Sequence, residues 1–174
     1  LLTRLYDANF GKIKFGSEDE ITNFRISTLR NTVGLVHPRA ALFDASIRDN
    51  MLFACSTATD SQITKALQIV GARFMDNLPE GLDTPVSALS LTKGELAQLT
   101  IARVLVKQPK IIVVDDIDSG LDPVSNQLVK DSLLAVQKHF WHKTTIVVIS
   151  NKMEILRQMD GLLYIKDPAN VISA

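Results

Sequence analysis

The segment Leu105–Asp122 constrains this chain more than any other. Ile111, Ile112, Val113 and Val114 form an unbroken β-branched run, the composition of a short strand buried on both faces. Asp115 and Asp116 follow where that strand must end. Doubly buried strands belong to parallel sheets flanked by helices, and such sheets bind ligands beyond the carboxyl ends of their strands. Adjacent acids at that spot are expensive unless they engage a cation or a water. Ser119-Gly120-Leu121-Asp122 then turns the chain. Asp122 caps a helix that has Pro123 at its first position and Val129, Leu133, Val136 and Phe140 on one face.

The same alternation extends in both directions. Leu1–Tyr6 reads as the tail of a helix and Lys12–Phe15 as a brief strand between Gly11 and Gly16. Thr32–His37 is a buried-strand candidate closed by Pro38. Asp60–Phe74 carries Ile63, Leu67, Val70 and Phe74 at helical spacing behind a Thr59/Asp60 cap. Thr92–Val106 is helical, with Thr92 and Glu95 set as a capping box. Thr144–Ser150 is a second β-branched strand, followed by a short helix from Lys152 and a last strand over Leu162–Ile165. Strands alternating with helices predict an α/β fold with a mostly parallel sheet. The strandless 60–90 stretch predicts an inserted helical unit.

Composition narrows the function. Lys plus Arg and Asp plus Glu both total 19, so no basic surface points to nucleic acid or to an anionic membrane. Cys55 is the single cysteine and cannot form an internal disulfide, which fits a reducing compartment. The longest apolar runs are strand-sized, well short of the ~20 residues of a membrane helix. His37, His139 and His142 show no metal-ligand spacing, and Trp141 reads as helix-end core. Leu1-Leu2 begins mid-pattern without a capped helix start, so the chain reads as cut from a longer one.

Further segments, in order, carry a resemblance. Leu5-Tyr6-Asp7 with Gly11-Lys12-Ile13 comes first, then Leu29-Arg30 with Val33–Val36, then Leu42–Asn50. Leu78–Val86 and Ile101–Leu105 precede the acid pair and the Ser119–Asp122 turn. Together they resemble the nucleotide-binding domain of exporter-type ATP-binding cassette (ABC) transporters over nearly the whole chain. The resemblance implies a RecA-like P-loop NTPase core, with residues 1–45 and 96–174 in that core and 46–95 as a helical subdomain. It places the family's phosphate-binding loop ahead of Leu1, so the N-terminal antiparallel subdomain and the strand leading into that loop are expected to be missing. It also implies ATP and Mg²⁺ as cofactors, a second nucleotide-binding domain and a transmembrane domain as partners, and a place on the cytoplasmic face of a membrane. Nucleic acid is not an expected partner.

Residue by residue, Asp115 falls on the acid that holds Mg²⁺ through water, and Asp116 on the catalytic Glu, shorter by one methylene. Asn151 falls on the switch His, and Pro38 on a Gln that contacts the metal. Leu91-Thr92-Lys93-Gly94-Glu95 aligns with the signature Leu-Ser-Gly-Gly-Gln, which faces a partner's nucleotide. Ser119 and Asp122 fall in the family's D-loop and, with Thr92, Lys93, Gly94 and Glu95, are implied by the resemblance to be nucleotide-binding residues. These substitutions imply a degenerate cassette with weak or no hydrolysis of its own. A non-catalytic interaction or regulatory domain keeping the cassette fold is the alternative. A phospho-acceptor receiver domain also pairs acids at strand ends, but it places them early in the chain and leaves Leu78–Val86 unexplained.

Overall fold

The computed structural model describes residues 1–16, 19–37, 42–140, 143–167 and 170–173. Three parallel strands form the centre, in the order β3 (Val33–Val36), β4 (Ile111–Asp115) and β5 (Thr145–Ile149). β4 lies in the middle, with Val36 paired to Val114 on one side and Asp115 to Ile149 on the other. Its side chains alternate as the pleat requires. Ile112 and Val114 point into a large apolar cluster with Ile47, Met51, Ile63, Leu99, Ile101, Val129 and Val136. Val113 joins Ile21, Leu29 and Val33 on the opposite face. Both faces of β4 are therefore dry, as its unbroken β-branched run predicts.

The longer helices begin on side-chain caps, and the first, which has none, is held by packing. α1 (Ile26–Thr32) leads directly into β3. α2 (Ile47–Ala54) is capped by Ser46, which accepts from the Asp49 N–H, and α3 (Asp60–Ile69) by a Thr59/Gln62 capping box. α4 (Lys93–Leu105) starts on the Thr92/Glu95 box, and α5 (Pro123–His139) on Asp122. Arg48 on α2 forms ion pairs with Asp60 and, at 2.8 Å, with Asp83, fixing α2 to α3 and to the turn before α4. Gly34 in β3 has no alternative at its position, because a Cβ there would run into the Val104 side chain and come within 3.0 Å of Pro109. Close packing of β3 under α4 depends on that gap.

Between β3 and β4 the described residues contain helices and turns with one isolated bridge, Ser46 to Pro85. Two short antiparallel pairs lie outside the central sheet. β1 (Lys14–Phe15) pairs with β2 (Asp19–Glu20), and β6 (Leu163–Asp167) with β7 (Asn170–Ser173). Four sequence expectations need correction. Residues 1–6 form turns and bends rather than the tail of a helix, with Arg4 clasping the carbonyls of Ile21, Thr22 and Phe24. The first strand shrinks to Lys14–Phe15. The helix expected to reach Phe74 stops at Ile69, where Gly71 at φ +72° breaks it and a 3₁₀ turn takes over at Arg73–Asn77. The last strand runs two residues beyond Ile165, to Asp167, as half of a hairpin.

Candidate functional site

Asp115 ends β4 and is half-buried, its Oδ2 4.0 Å from His37 Nε2 at the end of β3. Asp116 is the first residue past the strand and adopts a left-handed backbone, φ +50°. Its N–H still donates to the Ile149 carbonyl at 2.9 Å, and its own carbonyl accepts from Ser119 N–H at 3.2 Å. The chain therefore turns away from the sheet within one residue of the acid pair. Asn151 stands exposed just past the end of β5, the strand paired with β4. The acid pair and Asn151 thus gather at the carboxyl edge of neighbouring parallel strands, where such sheets bind ligands.

Ser119 is exposed in the turn, and Asp122 closes it. Asp122 Oδ1 accepts from the Val124 and Ser125 N–H groups, each at 3.0 Å, and Oδ2 from the Ser125 hydroxyl at 2.6 Å. The Ser125 hydroxyl, and then its N–H, hold the Asp122 carboxyl below the usual Asp range. The first role of Asp122 is to start α5.

Thr92 to Glu95 are equally engaged. Thr92 N–H and hydroxyl both donate to Glu95 Oε2 at 2.8 Å, and Glu95 N–H returns to Thr92 Oγ1 at 3.2 Å. Gly94 is buried against α5: a Cβ there would lie 2.9 Å from Ser125 Cα and 3.0 Å from Leu128 Cδ1. Lys93 Nζ donates to the Gly120 carbonyl at 3.2 Å, tying the start of α4 to the turn after β4. Within this chain, then, Thr92, Glu95 and Gly94 build the α4–α5 junction and Lys93 spans it. Pro38, Trp141 and His142 lie outside the described residues.

Three residues that sequence reasoning missed belong to the same edge. Asp118 is buried, and Ser150 and Lys152 flank Asn151; hydrogen bonds join all three. The available signal was a third carboxylate, two residues past the acid pair and between Ile117 and Ser119. Among the described residues, no group of three or more His, Cys, Asp or Glu is placed to hold a metal, and no helix is long and apolar enough to cross a membrane. A single hard carboxylate such as Asp115 still fits Mg²⁺, which takes one or two carboxylates beside phosphate oxygens.

The sequence model of the ABC transporter family matches residues 1–119. The chain is 31% identical to ATP-dependent permease MDL1 of Candida albicans over 176 residues, covering 99% of this chain and 25% of that protein. It is 34% identical to ABC transporter B family member 3 of Dictyostelium discoideum over 169 residues, covering 95% of this chain and 12% of that protein. A putative multidrug export ATP-binding/permease protein of Staphylococcus aureus is 31% identical over 170 residues, covering 96% of this chain and 28% of that protein. An α/β core with paired acids closing its middle strand is the cassette class of nucleotide-binding fold. The chain belongs to the ABC transporter family, and its sequence is that of an exporter-type nucleotide-binding domain. It spans about a quarter or less of the length of most of these relatives.

Proposed function

We propose that this chain binds ATP as the nucleotide-binding domain of an exporter, pairs with a second such domain, and turns over slowly or not at all at its own site. The observation that carries this reading is the gathering of Asp115, Asp116 and Asn151 at one carboxyl edge, beside a turn that leads into the capped helix α5. Asp115 is placed to hold Mg²⁺ through water, and bound Mg²⁺ neutralises phosphate charge. Asp116 holds the position of a general base with a side chain shorter than Glu by about 1.5 Å. Asn151 has no titrating imidazole to offer the phosphate. Thr92, Lys93, Gly94 and Glu95 face a partner's nucleotide in this reading, and Ser119 and Asp122 in the turn after β4 are counted with them as nucleotide-binding residues. The transmembrane domain and the cytoplasmic face of a membrane follow from the same assignment. Residues 46–95 form the helical subdomain between core parts 1–45 and 96–174, sharing with α4 and α5 the apolar cluster that runs under the sheet.

The engagement of Thr92, Gly94 and Glu95 in the α4–α5 junction favours the second reading, a cassette fold kept for docking alone. Calorimetry of Mg·ATP binding separates the two. The first reading expects binding that weakens about tenfold, or ~1.4 kcal/mol, on Asp115→Ala. In a protein whose phosphate-binding loop is intact, it also expects turnover that rises when Asp116→Glu and Asn151→His are combined. Binding indifferent to Asp115→Ala sinks the first reading and leaves docking.

A further inference from the structure

Asp118 lies 1% exposed, and a carboxyl group that deep must be hydrogen-bonded to be tolerated. Its Oδ2 accepts from the Ser150 hydroxyl at 2.6 Å. Ser150 Oγ in turn accepts from the Lys152 N–H at 2.9 Å. Lys152 Nζ closes the ring by donating to the Asp118 carbonyl at 2.6 Å. The same ammonium donates to Asn126 Oδ1 at 2.7 Å, and Asn126 Nδ2 donates to the Leu121 carbonyl at 3.2 Å. One network therefore grips the turn after β4 at both ends and the segment after β5 on both sides of residue 151.

We propose that Asp118, Ser150 and Lys152 are positioning residues that fix where Asn151 stands relative to the Ser119–Asp122 turn. Asn151 is exposed, and the residues on either side of it are the anchored ones. Hydrogen bonds to ionised groups are short and strong, so a ring containing a carboxylate and an ammonium makes a stiff clamp. Moving either segment alone breaks at least two bonds of the ring, so the two segments shift together. A catalytic consequence rests on the reading of Asn151 given above; the clamp itself does not.

The test is hydrogen exchange of the full chain without nucleotide, followed by turnover with ATP and Mg²⁺. Ser150→Ala is expected to speed exchange in 117–122 and 150–155 by about tenfold, the scale of one lost charge-assisted bond. Exchange in 111–114 and 129–136 stays unchanged, and Ser150→Thr restores the slow rates by keeping the hydroxyl. Lys152→Met, at a half-buried position, loosens the same two segments. Asp118→Ala combined with Ser150→Ala loosens them no further than either change alone. In turnover, Ser150→Ala lowers kcat and leaves KM in place. A protein with no turnover at all, which the proposed function allows, removes the catalytic consequence, and the exchange arm alone then decides on the clamp. Exchange in 117–122 that ignores Ser150→Ala, a rise spread evenly over the chain, or a failure of Ser150→Thr to rescue overturns the proposal.

Discussion

Replacing Gly94 by Ala sets two well-scaled effects against each other at one position. Ala is the better helix former by about 1 kcal/mol in a helix interior, and by less at the second residue of α4, where Gly94 sits. Against that, the new Cβ would lie 2.9 Å from Ser125 Cα, 3.0 Å from Leu128 Cδ1 and 3.1 Å from Ser125 Cβ. Carbon atoms pack best at about 3.5–4.0 Å, so the overlap approaches half an ångström or more. Leu128 can rotate, but Ser125 Cα is backbone of α5 and is held by the Asp122 cap. The helices must part, and overpacking of this kind costs about 1–3 kcal/mol. The clash wins, leaving a net loss of about 1 kcal/mol. For a chain of this size that lowers Tm by about 2–4 °C. Thermal unfolding followed by circular dichroism, without nucleotide, reads it directly, and Gly94→Val should cost more. A Tm that rises on Gly94→Ala would show propensity winning and the α4–α5 approach to be looser than described. An unchanged Tm with weakened ATP binding would return Gly94 to a purely nucleotide-facing role.

The left-handed backbone of Asp116 predicts that Asp116→Val costs about 1–2 kcal/mol in urea unfolding while Asp116→Gly costs almost nothing. Equal losses in the two variants would show that the turn does not depend on that conformation. Asp122 predicts a pH effect with a definite sign. Its folded carboxyl titrates below the ordinary 3.8, so its contribution is fully present above that value and is lost as pH falls through the lower folded one. The gap in Tm between the native chain and Asp122→Asn should therefore shrink on acidification through this range, and a gap independent of pH would remove the linkage.

What the sequence makes legible is whatever one short pattern determines. The β-branched run of β4, the Thr92/Glu95 box and the Asp122-Pro123 start of α5 are local, and each appears in the structure at its expected place. α1 is the opposite case. Ile26–Thr32 mixes β-branched and hydroxyl residues of low helix propensity and has no side-chain cap, and it forms because Leu29 buries completely beneath the sheet. α2 does carry a Ser46 cap, but eight residues are too few to show a clear period. At the site, residue types and order mark Asp115, Asp116 and Asn151. Nothing local announces the left-handed turn at Asp116, which follows from leaving β4 while still bonded to Ile149. Nor can spacing join Asp118 to Ser150, 32 residues away.

The residues most easily taken for ligand contacts here are also those that hold helices in place. Thr92, Glu95 and Asp122 spend their polar atoms on orphan N–H groups at the starts of α4 and α5, and Gly94 and Ser125 bring those starts together. Capping and nucleotide contact are not exclusive, because a helix start that is held rigid presents its remaining N–H groups in a fixed direction. Lys93 is the residue where the two uses compete. Bonded to the Gly120 carbonyl it stabilises this chain's own turn, and to reach a phosphate it must release that bond. A released Lys93 leaves the turn held by the Asp118–Ser150–Lys152 ring, at the edge where Asn151 stands. The start of α4 and the clamp around Asn151 therefore meet on one turn, Lys93 at the Gly120 carbonyl and the network at Asp118 and the Leu121 carbonyl.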